Sequence, residues 1–153
     1  MDNLNKIKAF FDEIASTWDD KNADELGAKK IVKQFADKIK GKSVLDIGCG
    51  TGVLFEHLTK AGSKKITSID VSEEMIRLAK EKFPKGNFLV DDILTWNTND
   101  TFDTIIMYNV YPHLMDKQKL VDKVYSLLNE NGTFIVAHGS SRDTINSHHS
   151  ANP

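Results

Sequence analysis

A chain of 153 residues with a net charge of −2 is the length of one domain and lacks the positive excess of a general nucleic-acid binder. Hydrophobic residues make up 40% of it, and the single cysteine, Cys49, excludes an internal disulfide and fits a reducing, cytoplasmic setting. No apolar run approaches the ~20 residues of a membrane span, and the first residues are too polar for a secretory signal.

Leu4, Ile7, Phe10, Phe11, Ile14 and Trp18 recur at helical spacing and predict an amphipathic helix over 4–18. A second helix is expected over 24–39, with Ala28, Ile31, Val32, Phe35 and Ile39 inward and Gly41 as its stop. The lysines along it (Lys29, Lys30, Lys33, Lys38) and just after it (Lys40, Lys42) read as a solvated face. The first strand is Ser43–Ile47, followed by a glycine turn and a helix over 53–61 closed by Gly62. The second strand, Ile66–Asp70, leads into a helix capped by Ser72, with Glu73 and Glu74 favoured by the helix dipole and Pro84 beyond its end. Asn87–Val90 and Phe102–Tyr108 are the third and fourth strands, the fourth nearly all apolar as a buried parallel strand is. A helix over 116–129, a turn at Asn131-Gly132, a fifth strand over Thr133–Ala137 and a short helix over 142–149 complete the series.

Strands alternating with helices predict an α/β fold: a doubly wound, three-layer, Rossmann-like parallel sheet. Right-handed crossovers restrict the topology, and the expected strand order is 3-2-1-4-5. A ligand belongs beyond the carboxyl ends of strands one and four, where the winding reverses.

The chemistry concentrates in Val44-Leu45-Asp46-Ile47-Gly48-Cys49-Gly50-Thr51-Gly52, with Asp70 at the end of the next strand. Glycine at every second position opens backbone angles closed to other residues and lets a ligand approach the main chain. A strand, a glycine turn, a helix, a strand and an acid form the logic of a nucleotide-type site. The dinucleotide pattern Gly-x-Gly-x-x-Gly is incomplete, because its third position is Val53. A carboxylate at Asp70 can accept from both hydroxyls of a ribose, or serve as a helix-capping acid, and Val71 can pack on a base.

Asp46-x-Gly48-x-Gly50-x-Gly52 resembles motif I of the class I S-adenosylmethionine (SAM)-dependent methyltransferases. Phe10-Phe11-Asp12-Glu13-x-Ala15-x-x-Trp18-Asp19 resembles the opening segment of small-molecule methyltransferases such as the quinone-biosynthesis C-methyltransferases, and Phe102-Asp103-Thr104-Ile105-Ile106 resembles their fourth strand. The resemblance implies SAM as cofactor and Asp46, Gly48, Cys49, Gly50 and Gly52 as its turn. Asp70 and Val71 would serve the ribose and adenine, Asp92 and Ile93 the adenine, and Asn109 the cofactor or the acceptor. It also implies one domain over 1–153, with 1–22 as a lid whose Trp18 approaches the cofactor, and 23–153 as the core.

Methyl transfer needs no dedicated nucleophile, but an oxygen or carbon acceptor benefits from a base. His113, four residues past strand four, is the candidate, against the alternative of a packing histidine. Tyr111 and Arg142 are the candidate substrate contacts. His138, His148 and His149 match no zinc spacing, so no metal is expected.

Asn109-Val110-Tyr111-Pro112 is not the Asn-Pro-Pro-Tyr of amide-nitrogen methyltransferases, so DNA adenine or glutamine methylation is not indicated. The resemblance to small-molecule methyltransferases implies a small-molecule acceptor, and with the charge and hydropathy above no nucleic acid or membrane partner is expected. Strands six and seven, usual in the family, are not expected in this sequence, so that either the core is shortened or strand five is an open edge suited to a homodimer contact. A SAM-binding domain or fragment without catalysis, and a small NAD-dependent oxidoreductase, stay open as alternatives.

Overall fold

The computed structural model describes residues 25–110, 116–137 and 144–149. The helix expected over 4–18 lies outside them. The first described helix, α1, runs Glu25–Gln34 and gives way to a short 3-10 turn, Ala36–Lys38, before Gly41 at φ +73° redirects the chain. The remaining elements in chain order are β1 Ser43–Ile47, α2 Phe55–Lys60, β2 Lys65–Asp70, α3 Glu73–Lys82, β3 Asn87–Val90, β4 Phe102–Tyr108, α4 Lys117–Leu127, β5 Leu128–Ala137 and β6 Thr144–His149.

They build one sheet of order β3-β2-β1-β4-β5-β6. The first five strands are parallel in the order 3-2-1-4-5, as the alternation of strands and helices predicts. The sixth is antiparallel to β5, with Gly132 opposite His149 and Ala137 opposite Thr144. Two expectations are corrected here. Residues 144–149 form a strand, not a helix, and the edge of β5 is paired, not open. The physical reason is the hydrogen-bonding demand of a ten-residue strand: β5 offers a row of N–H and C=O groups that a returning chain satisfies. The homodimer contact expected through an open β5 edge loses its premise.

The sheet is covered on both faces. Val44, Ile106, Tyr108, Ile135 and Ala137 face α1 and α2 through Ile31, Val32, Leu54 and Leu58. Leu45, Ile47, Ile105, Met107 and Phe134 face the opposite way, onto Leu120, Val124 and Leu127 of α4. Alternate residues of one strand thus serve two cores, as strand geometry requires. Helix caps match the sequence: Ser72 Oγ accepts from the Met75 N–H at 3.1 Å, and Asp116 Oδ1 accepts from the Lys119 N–H at 3.1 Å.

At the amino edge, Asp103 ties three strands together. Its Oδ2 accepts from the Ser43 N–H at 3.0 Å and its Oδ1 from Asn129 Nδ2 at 2.9 Å. Burial acts to raise the Asp103 carboxyl, but the hydrogen bonds from Ser43 and Asn129, helped by the Lys42 charge, hold it below its usual value. The turn expected at Asn131-Gly132 is absorbed into β5. The register with β4 shifts between Phe102 and Thr104, and Asn131 takes φ +66°, so the extra residues form a bulge inside the strand.

Candidate functional site

The carboxyl ends of β1 and β4 lie side by side at the point where the winding reverses. The turn after β1 uses its glycines as the sequence predicts. Gly48, Gly50 and Gly52 all have positive φ, at 73°, 57° and 91°. At Gly48 there is a second constraint: a Cβ there would stand 2.3 Å from Val110 Cγ2. The turn is pinned to β2, because the Gly48 and Cys49 N–H groups both donate to Ile69 O, at 2.8 and 3.2 Å.

Asp70 braces this turn from the end of β2. Its Oδ2 accepts from the Gly50 N–H at 2.8 Å and its Oδ1 from the Ser72 N–H at 2.9 Å. The ribose-acceptor and helix-end readings of Asp70 are therefore not exclusive. A carboxylate has about four lone-pair sites, and these two bonds orient the group at the rim of the turn.

Asp46 is the other acid of the site and the more unusual one. It is 1% exposed, and its Oδ2 has no hydrogen-bond partner. Burial, with the nearby Asp70 charge adding to it, pushes the Asp46 carboxyl up to about 7. Its register partner on β2 is Ser68, whose buried Oγ is likewise without a partner. Two orphaned oxygens on neighbouring strands mark a place where a polar ligand group or water belongs.

The remaining predicted residues divide. Val71 and Asp92 are half-buried next to strand ends, and Val90, at the end of β3, pairs with Asp70, so Asp92 follows close to it. Asp92 Oδ1 accepts from the Leu94 N–H at 2.9 Å, and the Asp91 N–H donates to Asp70 O at 3.0 Å, so the β2 and β3 ends form one acidic rim. The side chain of Ile93 is 3% exposed and packs in the core with Trp96 and Leu45. Cys49 is 3% exposed and packs with Ile76, Ala79 and Phe88. Burial, and then the Asp46 and Asp70 charges, push its thiol well above the usual value, so it fills space and is not a nucleophile. Asn109 takes φ +59°, a conformation that few residues other than glycine adopt, and its N–H donates to Ala137 O at 2.9 Å. Trp18, Tyr111, His113 and Arg142 lie outside the described residues.

Sequence reading missed Val110 and Ser68. Ser68 carried a usable signal, since it sits two residues before Asp70 and so on the same face of β2. Val110 carried none, because its contact with Gly48 joins segments far apart in the chain.

This arrangement agrees with what the chain resembles among known proteins. Residues 44–132 match the methyltransferase domain family model, from the first residues of β1 into β5. Malonyl-[acyl-carrier protein] O-methyltransferase 1 of Ilyobacter polytropus is 31% identical over 115 residues, which is 67% of this chain and 43% of that protein. An uncharacterized methyltransferase of Bacillus cytotoxicus is 32% identical over 142 residues, 86% of this chain and 66% of that protein. The chain thus spans less than two thirds of the length of these relatives. Among solved structures, magnesium protoporphyrin IX methyltransferase from Synechocystis PCC 6803, crystallised with SAM, superposes with a TM-score of 0.71 at 20% identity, over 89% of this chain and 76% of that one, a likeness of fold. Among the described residues no helix is long and apolar enough to cross a membrane. A glycine turn of this shape at the switch point, acids towards the ends of β1 and β2 and a family match that begins at β1 lead to one conclusion: the chain belongs to the class I SAM-dependent methyltransferase family.

Proposed function

We propose that this chain binds SAM at the Gly48–Gly52 turn and transfers its methyl group to a small-molecule acceptor. The observation that carries the reading is the pairing of a main-chain cradle with two carboxylates. Gly48 leaves room for nothing beyond a hydrogen on its Cα, and Asp46 and Asp70 stand at the ends of β1 and β2. The acid at Asp46, beside the turn, favours a ligand with cationic groups over a pyrophosphate, and with Val53 at the third glycine position it counts against the dinucleotide alternative. Asp46 Oδ2, buried and unpartnered, supplies the acceptor that a ligand ammonium requires.

On this reading the turn holds the methionine portion, Asp70 accepts from the ribose, and Asp92 with the Ile93 main chain receives the adenine, against which Val71 packs. Asn109, in its positive-φ conformation after β4, would contact the cofactor through its backbone or face the acceptor. SAM supplies an electrophilic methyl on a sulfonium that departs as a neutral thioether. The protein's part is to hold the acceptor in line, and orientation of this kind is worth about 7–11 kcal/mol of barrier in well-aligned systems. Where the acceptor is a hydroxyl or carbon acid, a base must take its proton, and His113 is the residue to test.

The test is methyl transfer from radiolabelled SAM into a fractionated cell extract. Label in the small-molecule fraction is the expected result. Label in protein or nucleic acid would overturn the acceptor class. Cofactor binding with no transfer to any fraction would favour a binding domain over an enzyme.

A further inference from the structure

We propose that Asp46 couples cofactor binding to a proton: the carboxyl is protonated in a large share of the cofactor-free molecules, and seating an ammonium-bearing adenosyl ligand expels that proton to solvent. The inference rests on the reading of the turn as the SAM site and adds to it how the site keeps its charge in balance.

The argument begins with position. Asp46 shares the sheet face of Val44 and of its β4 register partner Ile106, under α1 and α2. It is almost wholly out of water, and its Oδ2 finds no donor. A bare carboxylate in that position costs several kcal/mol, and such a group neutralises by taking up a proton. Its closest acidic neighbour cannot take that proton as readily. Asp70 accepts from two main-chain N–H groups, which favour its charged form. Of the pair, Asp70 has main-chain donors for its charged form and Asp46 Oδ2 has none. The upward push on Asp46, from burial first and Asp70 second, agrees with this division.

Among the described residues, the Ser68 hydroxyl lies beside Asp46 on β2 and makes no hydrogen bond to it. Cys49, in the turn, is neutral and buried. Tyr108, at the end of β4, lies on the same sheet face. On the covering helices, Glu25 and His57 pair with each other at 2.9 Å, Glu56 pairs with Lys60 at 3.7 Å, and the lysines of α1 are exposed. A ligand that brings an ammonium changes the balance. The carboxylate then gains a partner, and the proton leaves.

The experiment is titration calorimetry of the whole chain with S-adenosylhomocysteine, which carries the ammonium without the reactive methyl. It is run at each pH in two buffers of different ionisation enthalpy, which counts the protons released. The expected result at pH 7 is release of about half a proton per ligand bound, with binding about fivefold tighter at pH 7 than at pH 6. Asp46→Asn should bind with no proton release and a flat pH profile. If that variant fails to fold, difference infrared spectroscopy of the unaltered protein decides instead: the protonated-carboxyl band should vanish as ligand is added. Binding without proton release, or an unchanged release in Asp46→Asn, overturns this inference and leaves the cofactor assignment standing. Failure of the ligand to bind at any pH overturns both.

Discussion

Val110 closes over Gly48 so tightly that a single added methyl group would stand 2.3 Å from Val110 Cγ2. The contact joins the end of β4 to the end of β1, the two strands that flank the switch point. Gly48→Ala meets both this clash and a φ of +73°, so it should destabilise the fold by about 2–4 kcal/mol. Adding Val110→Ala should restore the packing part and not the backbone part. Chemical denaturation of the two single variants and the double variant measures this, and simple additivity would contradict the contact.

Asp70 braces the turn and, in the proposed function, also accepts from the ribose, and its variants should separate the two tasks. Asp70→Ala removes the acceptor for the Gly50 and Ser72 N–H groups, and charge-assisted bonds of that kind contribute about 1.5–3 kcal/mol. Calorimetric affinity for S-adenosylhomocysteine should fall more than about tenfold. Asp70→Asn keeps one acceptor oxygen and should lose less. Unchanged affinity in Asp70→Ala would remove this residue from the site.

The raised Asp46 carboxyl leaves a mark on stability. The folded state holds a proton that the unfolded chain has already released, so stability falls as pH rises from the unfolded value of 3.8 through about 7 and levels off above it. Across that window the cost is on the order of 4 kcal/mol. Asp46→Asn should lose this slope, whatever constant offset the amide brings. Denaturation curves at pH 5, 6, 7 and 8 check it, and parallel profiles for the two proteins would contradict the buried charge.

Asp103 predicts the opposite sign. Its carboxyl is held below the usual value, so the stability it contributes is present above the unfolded value of 3.8 and is lost as pH falls through the lower folded value. The group is only half-buried, and solvent screening limits the effect. Asp103→Ala should cost about 1–2 kcal/mol at neutral pH through the lost Ser43 and Asn129 bonds, and less in acid. An equal cost at both pH values would contradict the assignment.

What could be read in advance follows from where each signal lives. The strands Ser43–Ile47 and Phe102–Tyr108 are local apolar runs, and the glycine turn betrays its positive φ through residue type alone. The order 3-2-1-4-5 follows from handedness once the strands are found. The strand Thr144–His149 was not legible, because its short, mostly polar sequence owes its form to hydrogen bonds with β5. The bulge at Asn131 hides for a similar reason: the residues are turn-formers, and only pairing with β4 keeps them in a strand. In the site, the acids were visible as residues. The isolation of Asp46 was not, since it depends on α1 and α2 closing over its sheet face, and neither was the burial of Ile93 and Cys49 as core side chains.

The central claim is that the turn after β1, and not some other surface, receives the adenosyl cofactor. Amide NMR with S-adenosylhomocysteine added stepwise tests it most directly. The account predicts shifts concentrated at Gly48, Gly50, Gly52, Asp70 and Asp92, and none of comparable size with NAD. Saturable binding that leaves the glycine amides unmoved, or an equal response to NAD, would contradict it.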